Sequence, residues 1–145
     1  MAYRDKYYRL TKTMALFSGL TPEELVKVME MGLTETVAEG TVLFEKGSFG
    51  RKMYVILSGK INIIDQGKVF ATLDTGSTFG EMALVSGRAR AADAVAVEPS
   101  HLFVLPASAF DRLLTKRIAV KLLLNISRTL CERLRDADEI LAKIL

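Results

Sequence analysis

Hydrophobic and polar positions follow three successive patterns along the chain. Residues 3–18 carry apolar positions at helical spacing, with Tyr8, Leu16 and Phe17 as anchors. Thr21-Pro22-Glu23-Glu24 then reads as a helix start. Thr21 can cap, Pro22 suits the first helical position, and Glu24 completes a capping box. This helix is expected to end near Met31, with Gly32 as a left-handed stop. From Leu33 to Leu105 the period changes to short β segments punctuated by glycine, and strands are predicted near 34–38, 41–45, 53–58, 60–65, 68–73, 92–97 and 101–105. Asp65-Gln66-Gly67-Lys68 reads as a hairpin turn, because Gly67 accepts positive φ. Short strands at this spacing suggest an antiparallel barrel or sandwich, not βαβ units.

The helical period returns at Ser108-Ala-Phe-Asp111, which reads as a second capping box, and a longer helix is predicted over roughly 118–144. Its apolar residues include Val120, Leu123, Leu130, Leu134, Ala137, Leu141 and Ile144, and from Leu130 the steps alternate four and three, as in a heptad seam. Ser127 interrupts the stripe, and Leu124, Cys131 and Ile140 widen it. A helix of about 26 residues is about 40 Å long, more than a small β domain covers. Part of the stripe is therefore expected to bury against a second copy of the chain.

Composition narrows the class. The chain has 145 residues, half of them hydrophobic, with 20 Lys and Arg against 17 Asp and Glu. That suits one globular domain and excludes intrinsic disorder. No apolar run approaches the roughly 20 residues of a membrane span, and Met1-Ala-Tyr-Arg-Asp-Lys6 has no apolar signal region. One cysteine, Cys131, is expected to be a buried thiol in a cytoplasmic protein. One histidine, His101, rules out a histidine–cysteine metal cluster and has no nucleophile pattern beside it, so no enzymatic chemistry and no metal are expected. Residues 1–12 carry four basic groups and one acid, residues 13–110 eight and eleven, and residues 111–145 eight and five. The mildly acidic body argues against a nucleic-acid surface. Asn125-Ile-Ser127 matches a glycosylation sequon inside a helix and is set aside, as is Gly47-Ser-Phe-Gly50-Arg-Lys52, which lacks P-loop spacing.

The chemistry is concentrated in residues 76–92. Gly80 lets the backbone approach a ligand closely, and a short helix beginning there would point free N–H groups at an anion. Arg90 offers a planar fork for two phosphate oxygens. Glu81 would repel phosphate but accept a bond from a sugar hydroxyl. Arg88 is read as solvated charge.

Phe79-Gly80-Glu81-x-Ala83-Leu84, then five residues, then Arg90-Ala91-Ala92, resembles the phosphate-binding cassette of cyclic nucleotide-binding domains. That family includes kinase regulatory subunits, bacterial catabolite activators and cyclic-nucleotide-gated channels. The segment from Gly40 to Ile61 resembles the family's early strands, and the likeness covers about residues 12–140. It implies an α+β fold, mainly β: an antiparallel, jelly-roll-like β-roll with N-terminal helices and a C-terminal helical lid ending in a long helix. The whole chain, 1–145, would be one domain, with N-terminal helices over 1–32, the roll over 33–107 and C-terminal helices over 108–145.

The resemblance also implies a ligand site. Glu81 would accept the ribose 2′-hydroxyl, Arg90 would pair with the cyclic phosphate, and the amides of Gly80, Ala83 and Ala91 would line it, with Met82 and Ala92 alongside. Ala89 stands where many members have proline. Ala91, where cyclic-GMP-selective members often carry Ser or Thr, leans towards cyclic AMP, with cyclic GMP as the alternative. Ala137 and Asp138, beside Asp136 on the long helix, fall where the family caps the base. The expected role is a ligand-operated switch. A ligand-independent dimerisation module with the same fold is the alternative. The chain is expected to be a stand-alone sensor or a piece of a longer protein, and the pattern still running at Ala142-Lys-Ile-Leu145 favours the piece or a coiled-coil end.

Overall fold

The computed structural model describes residues 9–82, 86–113 and 117–145. Its elements are a helical turn over 9–13, a 3-10 turn Ala15–Phe17, helix α1 (Pro22–Met31), strands β1 (Leu33–Val37), β2 (Val42–Phe44), β3 (Lys52–Ser58), β4 (Ile61–Asp65), β5 (Lys68–Leu73), β6 (Thr78–Phe79), β7 (Asp93–Ala96) and β8 (Ser100–Pro106), then helices α2 (Ala107–Leu113) and α3 (Arg117–Ile144). The strands form two antiparallel four-stranded sheets, ordered β1-β8-β3-β6 and β2-β7-β4-β5. Helices flank this roll, as expected from the sequence.

Strand alternation divides the interior into two cores. On β3, Met53 and Val55 face the helices while Tyr54 and Ile56 face the inside of the roll; on β8, Phe103 and Leu105 face the helices while Leu102 and Val104 face inward. Both strands are buried on two sides, which is why their sequences are almost continuously apolar. The helical core adds Leu16, Phe17, Leu25, Val28, Phe110, Leu122 and Ile126. Phe17 meets Phe103 edge-on, with ring centroids 6.1 Å apart.

The Thr21 capping box forms as expected: the Glu24 amide donates to Thr21 Oγ1 at 3.1 Å, and the Thr21 amide donates to Glu24 Oε1 at 3.0 Å. The hairpin also forms, with Gln66 and Gly67 at φ 52° and 74° and Asp65 paired with Lys68. Gln66 and Gly67 both at positive φ give the turn the twist of its flanking strands.

Several local expectations are corrected. Gly32 is extended, at φ −120°, because the chain passes straight into β1. A Cβ there would lie 2.5 Å from the Phe103 ring, so close packing, not handedness, requires glycine. Ser108 lies inside α2 instead of capping it: that helix continues directly from β8, and the Ala107 amide is satisfied by Arg51 O at 2.7 Å. The predicted helix over 3–18 is interrupted at Met14, which is extended; Tyr8 lies outside the described residues. Strand β6 was not predicted, since two residues carry no periodic signal.

Helix α3 has two faces. Ile118, Ala119, Leu122, Asn125 and Ile126 are buried against the domain. Val120, Leu124, Leu134, Leu141 and Leu145 are exposed. Cys131, expected to be buried, shares this open face by helical phase: it lies in step with Leu124 and Leu134, not with Leu122 and Ile126.

The buried face is also tied down by polar groups. Asn125 Nδ2 donates to Leu16 O at 2.7 Å and to Ser18 O at 2.8 Å, and its Oδ1 accepts from Arg128 at 2.9 Å. Its burial agrees with setting the sequon aside. Lys121 Nζ bridges Gly19 O at 3.1 Å and Glu24 Oε1 at 2.6 Å. Burial pushes the Glu24 carboxyl up, but Lys121 and the two Thr21 bonds outweigh it and hold the group below its ordinary value.

Candidate functional site

The two residues singled out from sequence are both buried polar groups at one end of the roll. Arg90 is 6% exposed and Glu81 2% exposed. Arg90 reaches this place because its backbone is fastened to the 47–48 loop: its amide donates to Ser48 O at 2.8 Å, and its carbonyl accepts from the Gly47 amide at 2.8 Å. It precedes β7, which begins at Asp93, and Asp93 Oδ1 accepts from the Lys46 amide at 2.6 Å on the same loop.

The Arg90 guanidinium donates from Nη1 to Gly80 O at 3.0 Å and from Nη2 to Lys52 O at 2.8 Å. Its carbon lies 4.2 Å from the Phe44 ring centroid. Two glycines make room for it: a Cβ on Gly80 would lie 2.7 Å from Nη1, and one on Gly50 2.8 Å from Nη2. Gly80 also needs its freedom for φ 78°. Arg90 Nε is buried and, among the described residues, has no hydrogen-bond partner. A buried donor without an acceptor costs about 1–3 kcal/mol, so this group is suited to an anion supplied from outside. Burial lowers the guanidinium's pKa, opposed by the nearby Tyr54 and Glu81, and burial raises that of Tyr54.

Glu81 follows β6 and Gly80, and its carboxylate is paired with Arg133 Nη1. Arg133 Nη2 also donates to Thr78 O at 2.6 Å. Sequence reasoning missed Arg133. The available signal was its phase: it falls in step with Leu122, Ile126 and Leu130, so a charged group occupies the apolar side of α3 and needs a buried partner.

The other expected positions are distributed as follows. Met82 is helical and exposed, and Ser86 Oγ donates to Met82 O at 2.8 Å. Ala83 lies outside the described residues. Ala91 is exposed and Ala92 half-buried. Ala137 and Asp138 are exposed on α3, four and five residues beyond Arg133. Arg88 is exposed, as expected; His101 is exposed too, and its ring meets Thr36 Oγ1 at 3.1 Å. Among the described residues no group of three or more metal-ligating side chains is present, and no helix is long and apolar enough to cross a membrane.

The buried guanidinium and the buried carboxylate near it give this β-roll the make-up of a small-ligand binding domain. The comparisons agree. The family model for the cyclic nucleotide-binding domain matches residues 34–117, and the chain belongs to that family. It is 33% identical over 132 residues to the cyclic AMP receptor protein of Thermus thermophilus, covering 88% of this chain and 60% of that protein. It is 30% identical over 113 residues to a cAMP-dependent protein kinase regulatory subunit of Hypocrea atroviridis, covering 78% of this chain and 24% of the relative. The chain thus spans less than two thirds of these relatives' length. Among solved structures, the Thermus thermophilus catabolite activator protein is similar with a TM-score of 0.79 at 32% identity, over 90% of this chain and 62% of that one. A cyclic nucleotide-binding domain from Methylobacillus flagellatus is similar with a TM-score of 0.84 at 26% identity, over 99% and 85%.

Proposed function

We propose that residues 1–145 act as one cyclic AMP-responsive regulatory domain, a switch that binds ligand and performs no chemistry. The observation that carries this reading is the orphaned Arg90 Nε. It is a charge-assisted donor held in a buried place and suited to a phosphate oxygen. Glu81 is the acceptor for the ribose hydroxyl, and Gly80, Met82, Ala83, Ala91 and Ala92 surround the phosphate. Ala137 and Asp138 cap the base once α3 closes. Ala91 and the names of the similar proteins support cyclic AMP over cyclic GMP.

The switch is the Arg133 contact. Ligand and Arg133 address the same Glu81 carboxylate, so bound nucleotide changes what holds α3 at the roll. A ligand moves such an equilibrium only by its different affinity for the two arrangements, and a shared acceptor supplies that difference. The exposed apolar face of α3 is assigned to homodimerisation. The single unpaired Cys131 supports a cytoplasmic setting.

Both cyclic nucleotides are titrated into the protein while its mass in solution is followed. Saturable binding, tighter for cyclic AMP, by a species of twice the chain mass is the expected result. Failure of either nucleotide to bind would leave the ligand-independent dimerisation module as the reading, and tighter cyclic GMP binding would reverse the base assignment.

A further inference from the structure

Phe44 does more than fill space beneath the site. We propose that it is the positioning residue of the phosphate fork, its ring face holding the Arg90 guanidinium in the one plane from which Nε–H can meet an anion. This rests on the reading that Arg90 takes the cyclic phosphate.

The argument starts from what the other contacts leave undetermined. The bonds to Gly80 O and Lys52 O use one N–H from each terminal nitrogen, leaving three of the five donors, Nε–H among them. Two carbonyls at the edge fix two directions in the plane. They do not stop the plane from rolling about the line that joins them. A surface against the flat face does, and Phe44 supplies it at 4.2 Å from ring centroid to guanidinium carbon. An aromatic face also carries negative charge density, which an aliphatic side chain of similar size lacks.

The ring is itself held. Tyr54 and Phe79 stack with centroids 4.8 Å apart and planes within 6°. Phe44 sits 6.0 Å from each of them. Strand β2 carries a register irregularity between Val42 and Phe44 against β7, a device that re-aims a side chain. The chain thus departs from regular pairing at the residue that meets Arg90.

The test is a double-mutant cycle read by calorimetry with cyclic AMP. Phe44→Leu is expected to weaken binding about fivefold to tenfold, while Phe44→Tyr binds like the original. On an Arg90→Ala background, Phe44→Leu is expected to change affinity less than about twofold. If Phe44→Leu fails to fold, Phe44→Met takes its place in the cycle. A second readout needs no ligand: the Arg90 Nε–H proton resonance, shifted by the ring, is expected to move on Phe44→Leu and to stay on Phe44→Tyr. Equal weakening on both backgrounds, original affinity in Phe44→Leu, or an Nε–H resonance indifferent to the ring would overturn the proposal. Should Arg90→Ala alone bind cyclic AMP as tightly as the original, the phosphate reading of Arg90 fails instead, and the resonance still decides whether Phe44 orders the guanidinium.

Discussion

Arg133, on the long C-terminal helix, is paired with the buried carboxylate of Glu81, 52 residues earlier and two residues past β6. Its second terminal nitrogen is bonded to Thr78 O at 2.6 Å. One side chain thus ties α3 both to the candidate ribose acceptor and to the strand that presents it.

Truncating Arg133 strands that carboxylate. Arg133→Ala is expected to lower the stability of the ligand-free protein by about 1–3 kcal/mol, the cost of leaving a buried polar group unpaired, in urea unfolding. Arg133→Lys, which offers a point charge without the second directed donor, is expected to recover only part of that loss. Full stability in Arg133→Ala would show that the pair does not hold α3.

Removing Arg90 tests the phosphate assignment directly. Arg90→Ala is expected to weaken cyclic AMP binding at least about a hundredfold, equivalent to about 2.7 kcal/mol, in calorimetry. An unchanged dissociation constant ends the assignment.

Nucleotide is expected to change amide hydrogen exchange over residues 111–145 more than over β3 and β8, because the proposed ligand competes for the contact that holds α3. Identical exchange with and without nucleotide argues against a switch.

Glu24 contributes an acid-sensitive part of the fold's stability. Its carboxyl is held below its ordinary value of 4.5 in the folded chain. A depressed carboxyl stabilises the fold above its unfolded pKa, and the contribution fades as pH falls through the folded one. Glu24→Gln is therefore expected to flatten the decline of melting temperature on acidification below about pH 4.5. A parallel decline in both proteins would assign the acid sensitivity elsewhere.

The open face of α3 gives a test of assembly. Leu134→Glu with Leu141→Glu is expected to convert a dimer to a monomer in light scattering, since both side chains are exposed along one stripe and charge at seam positions opposes pairing. A mass unaffected by the pair of substitutions would place any dimer contact on another surface.

Much of the fold is legible in the amino-acid order. Thr21 and Glu24 form a local motif whose partners are three residues apart; the Gln66-Gly67 turn needs only neighbouring dihedrals; and β3 and β8 announce their double burial by unbroken apolar runs. Arg90 and Glu81 are legible as residue types in a spaced motif. What pairs with them is not, because that depends on which segments the roll brings together. Lys52 O and Gly80 O, 28 residues apart in sequence, converge on one guanidinium only after β3 and β6 pair, and backbone carbonyls carry no sequence signature.

The sequence by itself determined the helix–β–helix order, the hairpin, the first helix cap and the identity of the two charged groups, all of which rest on interactions between near neighbours or on hydrophobic period. Tertiary structure alone decided that Phe44 would lie under Arg90, that Gly32 would be extended against Phe103, that Cys131 would face outward, and that Arg133 would close on Glu81. Each depends on rotation of a helix or register of a strand relative to a distant element, and a linear pattern leaves those two quantities undetermined.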